Sequence, residues 1–243
     1  MKPIYEPKGR AKEYGDYCVN IYTGCNHGCT YCYCPAVLRM SREDFMNVRQ
    51  RTGLLDALNK QLATGEYKDK LIHLCFSCDP YPAPPVDTNM TREVIKAIKA
   101  AGAHVQILTK GGRRAERDFD LLDKEDWFGV TYTGNPDGTL FEPLDCEPNA
   151  APVSERLHSL AEAYERGVNT WVSLEPVINA RDVLHFLDMN VYYVKKYKIG
   201  KLNHAQLDTN WAEFGRRAER ICQNWRHDYY IKADLRREME RSV

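Results

Sequence analysis

The sequence predicts an α/β fold, a partial (β/α)6 TIM-like barrel followed by a helical C-terminal segment. Short runs of apolar and β-branched residues alternate along the chain with amphipathic helical stretches, the pattern of parallel βα units. No repeat, low-complexity tract or Ser/Gly-rich linker divides these units. A motif of three cysteines directly follows the first predicted strand, and parallel βα barrels carry their chemistry at the ends of strands.

The elements follow from these runs in chain order. The predicted strands span residues 17–22, 71–78, 104–109, 128–133, 170–174 and 191–199. The predicted helices span residues 42–47, 54–63, 91–101, 119–122, 152–166 and 180–187, and residues 211–241 are helical with interruptions. Pro152 opens one helix, and Gly102 and Gly167 each follow the last residue of another. We expect one domain over residues 1–243, with its core at about 17–203 and a helical extension at 204–243.

Composition predicts a soluble, cytoplasmic protein. The chain has 243 residues, is 43% hydrophobic and 28% charged, and so can bury a substantial core. It contains no run of about 18 apolar residues and no apolar signal region at its start, so neither a membrane span nor secretion is indicated. Its nine cysteines, an odd number, argue against a disulfide framework and favour a reducing compartment.

The formal net charge is zero, but basic residues are clustered. Residues 92–117 contain seven basic side chains against two acidic ones, and Lys195, Lys196, Lys198 and Lys201 form a second basic stretch. Solvated helix faces and loops are one interpretation. The other is a pair of patches that hold phosphates beside the mouth of the barrel.

The cysteine motif is the most specific signal in the chain. Cys25, Cys29 and Cys32 have the spacing C-x3-C-x2-C, which supplies three thiolates. A [4Fe–4S] cluster normally takes four, so three leave one iron open to an exchangeable ligand. A zinc site is the first alternative, although zinc prefers four ligands and His27 lies inside the loop itself. Reduced cysteines without a shared role are the second.

Strand alternation places polar side chains inside the barrel. The predicted inward residues are Asn20, Tyr22, His73, Cys75, Ser77, Thr131, Thr133, Trp171, Ser173, Glu175, Lys196 and Lys198. Glu175 ends a strand, where a carboxylate without a partner is costly. Either a salt bridge or a contact with cofactor or substrate satisfies it, and the sequence leaves both open.

The cysteine spacing resembles that of the radical S-adenosylmethionine (radical SAM) enzymes. The resemblance implies one [4Fe–4S] cluster whose open iron chelates the amino and carboxylate groups of S-adenosylmethionine. Reductive cleavage then gives a 5′-deoxyadenosyl radical that abstracts hydrogen from a substrate. By the same resemblance, Tyr31 lies near the adenine. The remaining cysteines show no clean second ligand set, which predicts a single cluster.

Further motifs resemble the spore photoproduct lyase family over residues 17–203. They are Ser77–Pro82, Thr91–Glu93, Leu108–Lys110, Arg117–Leu122, Ser173–Val177 and Ile199–Asn203. The resemblance implies that Ser77, Cys78 and Asp79 lie where the methionine amino group is held. It also implies that Thr109 and Lys110 approach the carboxylate or the ribose. Cys75 and Cys78 are candidate hydrogen donors, and Glu175 is a candidate cofactor contact.

The function implied is a radical SAM lyase or isomerase acting on a thymine-derived or modified pyrimidine base in DNA. The expected partners are S-adenosylmethionine, DNA or a modified nucleotide, and an external electron donor of flavodoxin or ferredoxin type. One alternative is a radical SAM enzyme of small-molecule or peptide metabolism. Another is a non-catalytic iron–sulfur or zinc-binding module.

Overall fold

A computed structural model describes residues 2–135, 144–203 and 208–241. Its strands are β1 (Ile4–Tyr5), β2 (Tyr17–Val19), β3 (Tyr22–Thr23), β4 (Arg49–Gln50), β5 (Leu71–Leu74), β6 (His104–Thr109), β7 (Trp127–Thr131), β8 (Asn169–Leu174), β9 (Lys196–Ile199) and β10 (Asp228–Ile231). Its helices are α1 (Cys34–Leu38), α2 (Arg42–Met46), α3 (Leu54–Leu62), α4 (Asn89–Ala100), α5 (Val153–Glu165), α6 (Ala180–Asp188), α7 (Trp211–Trp225) and α8 (Ala233–Arg241). Two 3-10 segments span Gly9–Glu13 and Gly112–Leu121.

One eight-stranded sheet forms the centre of the described chain, in the order β1-β2-β5-β6-β7-β8-β9-β10. Strand β1 is antiparallel to β2, and every other neighbouring pair is parallel. The α/β class and the partial barrel of parallel strands predicted from the sequence are confirmed. Among the described residues, no helix is both long and apolar enough to cross a bilayer.

Helix α4 shows why the helices cover one face of the sheet. Its buried residues Thr91, Val94, Ile95 and Ile98 recur at the helical spacing, so that one stripe packs on the core while the lysines remain outside. Gly102, with φ +72°, ends the turn that follows the helix. Side-chain caps at Ser41, Asn179 and Asn210 start α2, α6 and α7.

Some predicted boundaries are wrong. The second predicted strand, 71–78, ends at Leu74, and the sixth, 191–199, begins only at Lys196. The predicted helical extension, 204–243, contains strand β10, which pairs with β9 along its whole length. Residues Asp228–Ile231 alternate in exposure because one side of this edge strand faces solvent. In the sequence, so short a strand between two helices is easily mistaken for a break in a helix.

The inner face of the sheet is filled by the segment that precedes β2. The hydroxyl of Tyr14 donates to Glu175 (2.9 Å) and lies 3.3 Å from the Ser173 hydroxyl, and its backbone oxygen accepts from Gln106 and Lys198 (2.9 Å each). The structure thus places Ser173 and Lys198 on the inner face, as predicted. Tyr22 instead lies outside the main sheet, where its hydroxyl contacts Thr91 of α4.

Candidate functional site

The cysteine motif lies in a loop that starts and ends at a small hairpin. Strands β3 and β4 pair antiparallel, Tyr22 with Gln50 and Thr23 with Arg49, so the hairpin closes the ends of the loop. All three motif cysteines line one cavity of about 290 Å³, together with Gly28, Thr30, Pro35, Arg42, Phe45 and Met46. The volume is near the lower end of ordinary ligand sites. The structure therefore brings together the three cysteines predicted as metal ligands.

Helix α2 holds the loop from one side. The amide of Cys25 donates to the Phe45 oxygen at 2.8 Å, and the close approach leaves no room at Gly24, where a Cβ would lie 2.4 Å from that oxygen. The guanidinium of Arg42 donates to the backbone oxygens of Cys29 (3.2 Å), Thr30 (2.6 Å) and Cys32 (3.5 Å). One short helix therefore contacts the loop at all three cysteine positions.

The segment that follows β7 holds the loop from the other side. Thr30 donates its amide to the Cys146 oxygen (2.9 Å), and the Asn149 amide donates to the His27 oxygen (3.0 Å). The Asn149 side chain also donates to the Asn26 oxygen (2.9 Å). Loop backbone groups that would otherwise lack partners are thus satisfied within the protein.

His27 points away from the cysteine cavity. Its ring lies 3.4 Å from Asp79 through Nδ1, and Nε2 lies 3.2 Å from the Tyr81 oxygen and 3.4 Å from Arg114. Burial lowers its pKa to about 4, although the Asp79 carboxylate opposes this shift. His27 is therefore a structural residue beneath the loop and does not complete a fourth ligand position.

The sulfur arrangement fits an iron–sulfur cluster better than zinc. Among the described residues, His104, Asp123 and Asp126 are the one group of His, Cys, Asp or Glu whose ligand atoms all lie within 4.8 Å of one another. The three cysteine sulfurs are thus not drawn together as around a single tetrahedral ion. The acidic group cannot serve as a ready cation site either, because the Lys99 ammonium already binds both carboxylates.

The three thiols differ in acidity. A hydrogen bond from the neighbouring Cys34 thiol lowers the pKa of Cys32 to about 6, and the charges of Lys110 and Arg42 act in the same direction. Burial raises the pKa of Cys25 and Cys29. Since a bound metal requires thiolates, loading of the site must release protons.

Tyr31 is fixed by a buried ion pair. Its hydroxyl donates to Glu147, whose other carboxylate oxygen accepts from Arg156 at 2.5 Å. Glu147 and Arg156 are fully buried, and Arg156 also donates to the Thr131 oxygen (3.2 Å). The Lys110 ammonium lies 5.6 Å from the centre of the Tyr31 ring. The ring is thus held in place beside the cysteines by its hydroxyl, and its contact with the adenine stays a prediction.

Asp79 joins the end of β5 to the end of β6. One carboxylate oxygen accepts from the Thr109 hydroxyl (2.6 Å) and the Tyr81 amide (2.8 Å), and the other accepts from the Lys110 amide (2.9 Å). Burial alone would raise the pKa of Asp79, but His27 and these hydrogen bonds lower it overall. Asp79 and Thr109 therefore shape the mouth of the barrel, and the Lys110 side chain turns toward Cys29 and Glu147.

Cys75, Ser77 and Cys78 lie where β5 has already ended. Cys75 has φ +67°, a conformation unusual for a side chain other than glycine, so the alternation used to predict its direction stops at Leu74. Its thiol is buried, which raises its pKa, and the neighbouring Cys78 is partly exposed. The Ser77 amide donates to the Asn20 side chain at 3.0 Å.

Glu175 has a lysine partner. The buried Lys232 ammonium donates to one carboxylate oxygen, Tyr14 donates to the same oxygen, and Asn203 donates to the other at 3.3 Å. Of the two alternatives for this residue, the structure supplies the salt bridge. A contact with cofactor stays a prediction.

Most side chains of the two basic stretches are also paired. Arg92 and Arg117 bind Asp118, and Lys99 binds Asp126. In the second stretch Lys196 pairs with Asp228 and Lys201 with Glu238, while Lys198 points into the sheet interior. These contacts favour the interpretation as ordinary ion-paired surface over that of phosphate patches.

Sequence reasoning missed Arg42, Glu147 and Arg156 as parts of the site. A charged residue carries no motif of its own, and Glu147 lies 115 residues beyond Cys32, so no local signal connects them. The full burial of a Glu–Arg pair, visible only in the fold, is what identifies them.

A protein-family model described as the Radical SAM superfamily matches residues 19–179. An uncharacterized protein of Methanocaldococcus jannaschii is 28% identical over 165 residues, which are 67% of this chain and 60% of that protein. An uncharacterized protein of Mycobacterium tuberculosis is 30% identical over 115 residues, 44% of this chain and 32% of that protein. The matches therefore span less than two thirds of these relatives.

Among solved structures, spore photoproduct lyase complexed with dinucleoside spore photoproduct superposes with a TM-score of 0.70 at 13% identity, over 93% of this chain and 79% of the other. Streptococcus suis SuiB bound to S-adenosylmethionine gives a TM-score of 0.62 at 8% identity, over 89% and 50%. At these identities, the likeness shows a shared fold.

Proposed function

Because this chain belongs to the radical SAM superfamily, we propose that it cleaves S-adenosylmethionine reductively and uses the radical to take hydrogen from a pyrimidine-derived substrate. When bound, a [4Fe–4S] cluster supplies the electron and the open iron that this cleavage needs. The observation that carries the proposal is the single cavity lined by Cys25, Cys29 and Cys32.

The residues around the cavity have separate proposed roles. The rigid Tyr31 ring supports the adenine, and Ser77, Asp79, Thr109 and Lys110 shape the strand ends that receive the methionine and ribose portions. The Lys110 ammonium is suited to a carboxylate, because it makes no ion pair with the residues that the structure describes. Glu175 holds its place through Lys232, and its second oxygen, which accepts one hydrogen bond from Asn203, can accept another from the cofactor.

We assign the candidate hydrogen donor to Cys78, with Cys75 as the second candidate beside it. Cys78 is the more exposed of the two and lies between Ser77 and Asp79 at the barrel mouth. A thiol can transfer a hydrogen atom to a substrate radical. This step breaks the S–H bond and leaves a thiyl radical on the cysteine. Replacing each cysteine with alanine separately tests the assignment, since loss of the donor should leave substrate cleavage intact but give aberrant products.

The proposed substrate class is supported by the fold likeness to spore photoproduct lyase, whose solved structure is complexed with dinucleoside spore photoproduct. A thymine-derived or modified base, in DNA or as a nucleotide, is the proposed substrate, with lyase or isomerase chemistry. The ion pairing of the basic stretches favours a second candidate, a small-molecule substrate that brings few phosphates. An external flavodoxin- or ferredoxin-type donor in the cytoplasm would supply the electron.

The test is anaerobic reconstitution followed by chemical reduction. We expect about four irons per chain, an iron–sulfur spectrum, and 5′-deoxyadenosine formed from S-adenosylmethionine. Deuterium in the substrate should then appear in the 5′-deoxyadenosine. A cluster that leaves S-adenosylmethionine intact would indicate a non-catalytic module, and cleavage without label transfer from any nucleotide would favour the small-molecule alternative.

A further inference from the structure

We propose that Arg42 is a positioning residue that holds the cysteine loop in its ligating shape and makes the bound cluster easier to reduce. The inference rests on the proposed function, because it assigns the residue to the same cluster. It adds a side chain from α2, outside the cysteine motif and outside the barrel strands.

The contacts of Arg42 are concentrated on one turn of the loop. Its guanidinium reaches the backbone oxygens of two metal ligands, Cys29 and Cys32, and of Thr30 between them. The Cys32 amide also donates to the Cys29 oxygen at 3.1 Å, so this oxygen receives two hydrogen bonds. The carbonyl oxygens of these three residues converge on the Arg42 guanidinium. Without a donor that has several N–H groups at this position, their dipoles would repel one another.

A guanidinium suits this position for a geometric reason. It presents five N–H donors in a planar fork, whereas a lysine ammonium is a compact point charge on a flexible stem. The helix that carries Arg42 is itself fixed, since Ser41 caps its start and the Phe45 oxygen binds the Cys25 amide. Helix α2 is therefore fixed at both ends, which fixes the position from which the Arg42 guanidinium extends.

The charge of Arg42 also lies beside the cysteines. Arg42 lines the same cavity as the three sulfurs. A positive charge next to a cluster favours its reduced, more negative state, and net charge is one of the factors that set cluster potentials. Part of this effect is screened because the arginine is exposed to solvent.

The two nearby cations have other partners. Lys110 lies over the Tyr31 ring and faces Glu147, and Arg114 donates to the Gly111 oxygen and lies against His27. Neither makes a hydrogen bond to a cysteine carbonyl in the parts of the chain that the structure describes. Arg42 alone combines backbone contact with a charge at the cavity.

The test compares Arg42→Gln and Arg42→Lys with Arg49→Gln, a control on an exposed arginine of β4. Three quantities are measured: iron retained against a chelator, the midpoint potential of the cluster, and hydrogen exchange of the 25–32 amides in metal-free protein. In Arg42→Gln we expect iron loss about 10–100-fold faster, the range for residues that support metal ligands, with a more negative potential and faster amide exchange.

The Arg42→Lys variant should separate the effect of Arg42 on the shape of the cysteine loop from the effect of its charge on the cluster potential. It keeps the positive charge, so its potential should lie near that of the wild type, while its loop amides exchange as fast as in Arg42→Gln. If Arg42→Gln matches Arg49→Gln in all three measurements, or if both Arg42 variants share one shifted potential, the inference is overturned. Failure of the wild type to assemble a cluster would instead refute the proposed function.

Discussion

Single buried charges beside the cysteine loop determine how firmly Tyr31 is held. Glu147 accepts from both Tyr31 and Arg156, and neither member of the ion pair reaches solvent. Loss of one partner of a buried pair leaves the other charge without compensation, which costs far more than the pair contributes as a whole. Replacing the Glu147 carboxylate with an amide should therefore disturb both the ion pair and the position of Tyr31.

We expect Glu147→Gln to lower the free energy of unfolding by about 3 kcal/mol, because the Arg156 charge would remain buried without its carboxylate. Denaturant unfolding of anaerobic, metal-free protein measures this. The control is Glu162→Gln, which breaks an exposed pair with Arg166 and should cost below about 1 kcal/mol. Equal losses in both variants would contradict the assigned burial effect.

His73 makes the free energy of unfolding depend on pH. Burial lowers its pKa to about 3, and the Lys198 charge acts in the same direction. In the unfolded chain its pKa is about 6.5, so only the unfolded chain binds a proton between the two values. The contribution of His73 to stability is therefore complete above pH 6.5 and is lost as the pH falls toward 3.

From this difference we expect His73 to account for about 2 kcal/mol of lost stability between about pH 7 and about pH 5. His73→Phe keeps an aromatic ring against Phe76, which stacks on the imidazole at 4.3 Å, but cannot titrate. Unfolding curves at both pH values should show a smaller pH dependence in the variant. An unchanged dependence would assign the acid sensitivity to other groups.

At the scale of elements, strand β10 is the main difference between the predicted and the observed C-terminal segment. It extends the parallel sheet beyond β9 and places Lys232, one residue past its end, against Glu175. An ion pair from the end of β10, with β9 between it and β8, thus satisfies the carboxylate at the mouth of the barrel. Within residues 208–241, the chain therefore adds a strand to the sheet as well as two helices.

Lys232→Met should lower the free energy of unfolding by about 3 kcal/mol, because it leaves the Glu175 carboxylate in a mostly buried position without its cation. The double variant with Glu175→Gln should recover part of the loss, since no uncompensated charge then remains. Lys196→Met is the matched control, because its pair with Asp228 likewise involves β10 but is solvated. A double variant less stable than Lys232→Met would disprove the pairing argument.

Elements with strong periodicity could be predicted from the sequence. The ranges of β6 and α4 agree with the prediction at or near both ends, because each has a clear apolar pattern and α4 also has a glycine stop. The end of β5 could not be predicted, since Cys75 leaves the strand through a positive φ that its residue type does not announce. The spacing of Cys25, Cys29 and Cys32 is a local pattern, so the sequence alone predicts them as candidate ligands. The sequence does not predict Arg42 or Glu147, because their contacts with the loop arise only in the folded chain.

At the scale of the whole molecule, the two basic stretches of the sequence do not form open cationic patches, because most of their side chains have partners within the protein. Arg92, Lys99, Arg117, Lys196 and Lys201 all form ion pairs with acidic residues. These paired side chains attract a polyanion only weakly, because each phosphate contact with them must compete with an existing carboxylate. The net charge of zero agrees with this balance.

We therefore expect binding to an unmodified oligonucleotide to weaken by less than about tenfold between about 50 and 200 mM salt. Proteins that make six to ten phosphate contacts lose about 10³–10⁵ over the same range. Fluorescence anisotropy with single- and double-stranded probes measures the slope. A steep slope would show that free cations elsewhere on the chain hold the nucleic acid backbone.

The contact between Glu175 and Lys232 also bears on synthesis. A chain emerges from the ribosome starting at its N-terminus, and the lysine follows the glutamate by 57 residues. Late in that interval, the residues of β8 can leave the exit tunnel before the cation that pairs with Glu175 has been made. Tyr14, made much earlier, can already donate a hydrogen bond to the carboxylate, as it does in the folded protein. The carboxylate therefore gains its cation only after Lys232 has been translated.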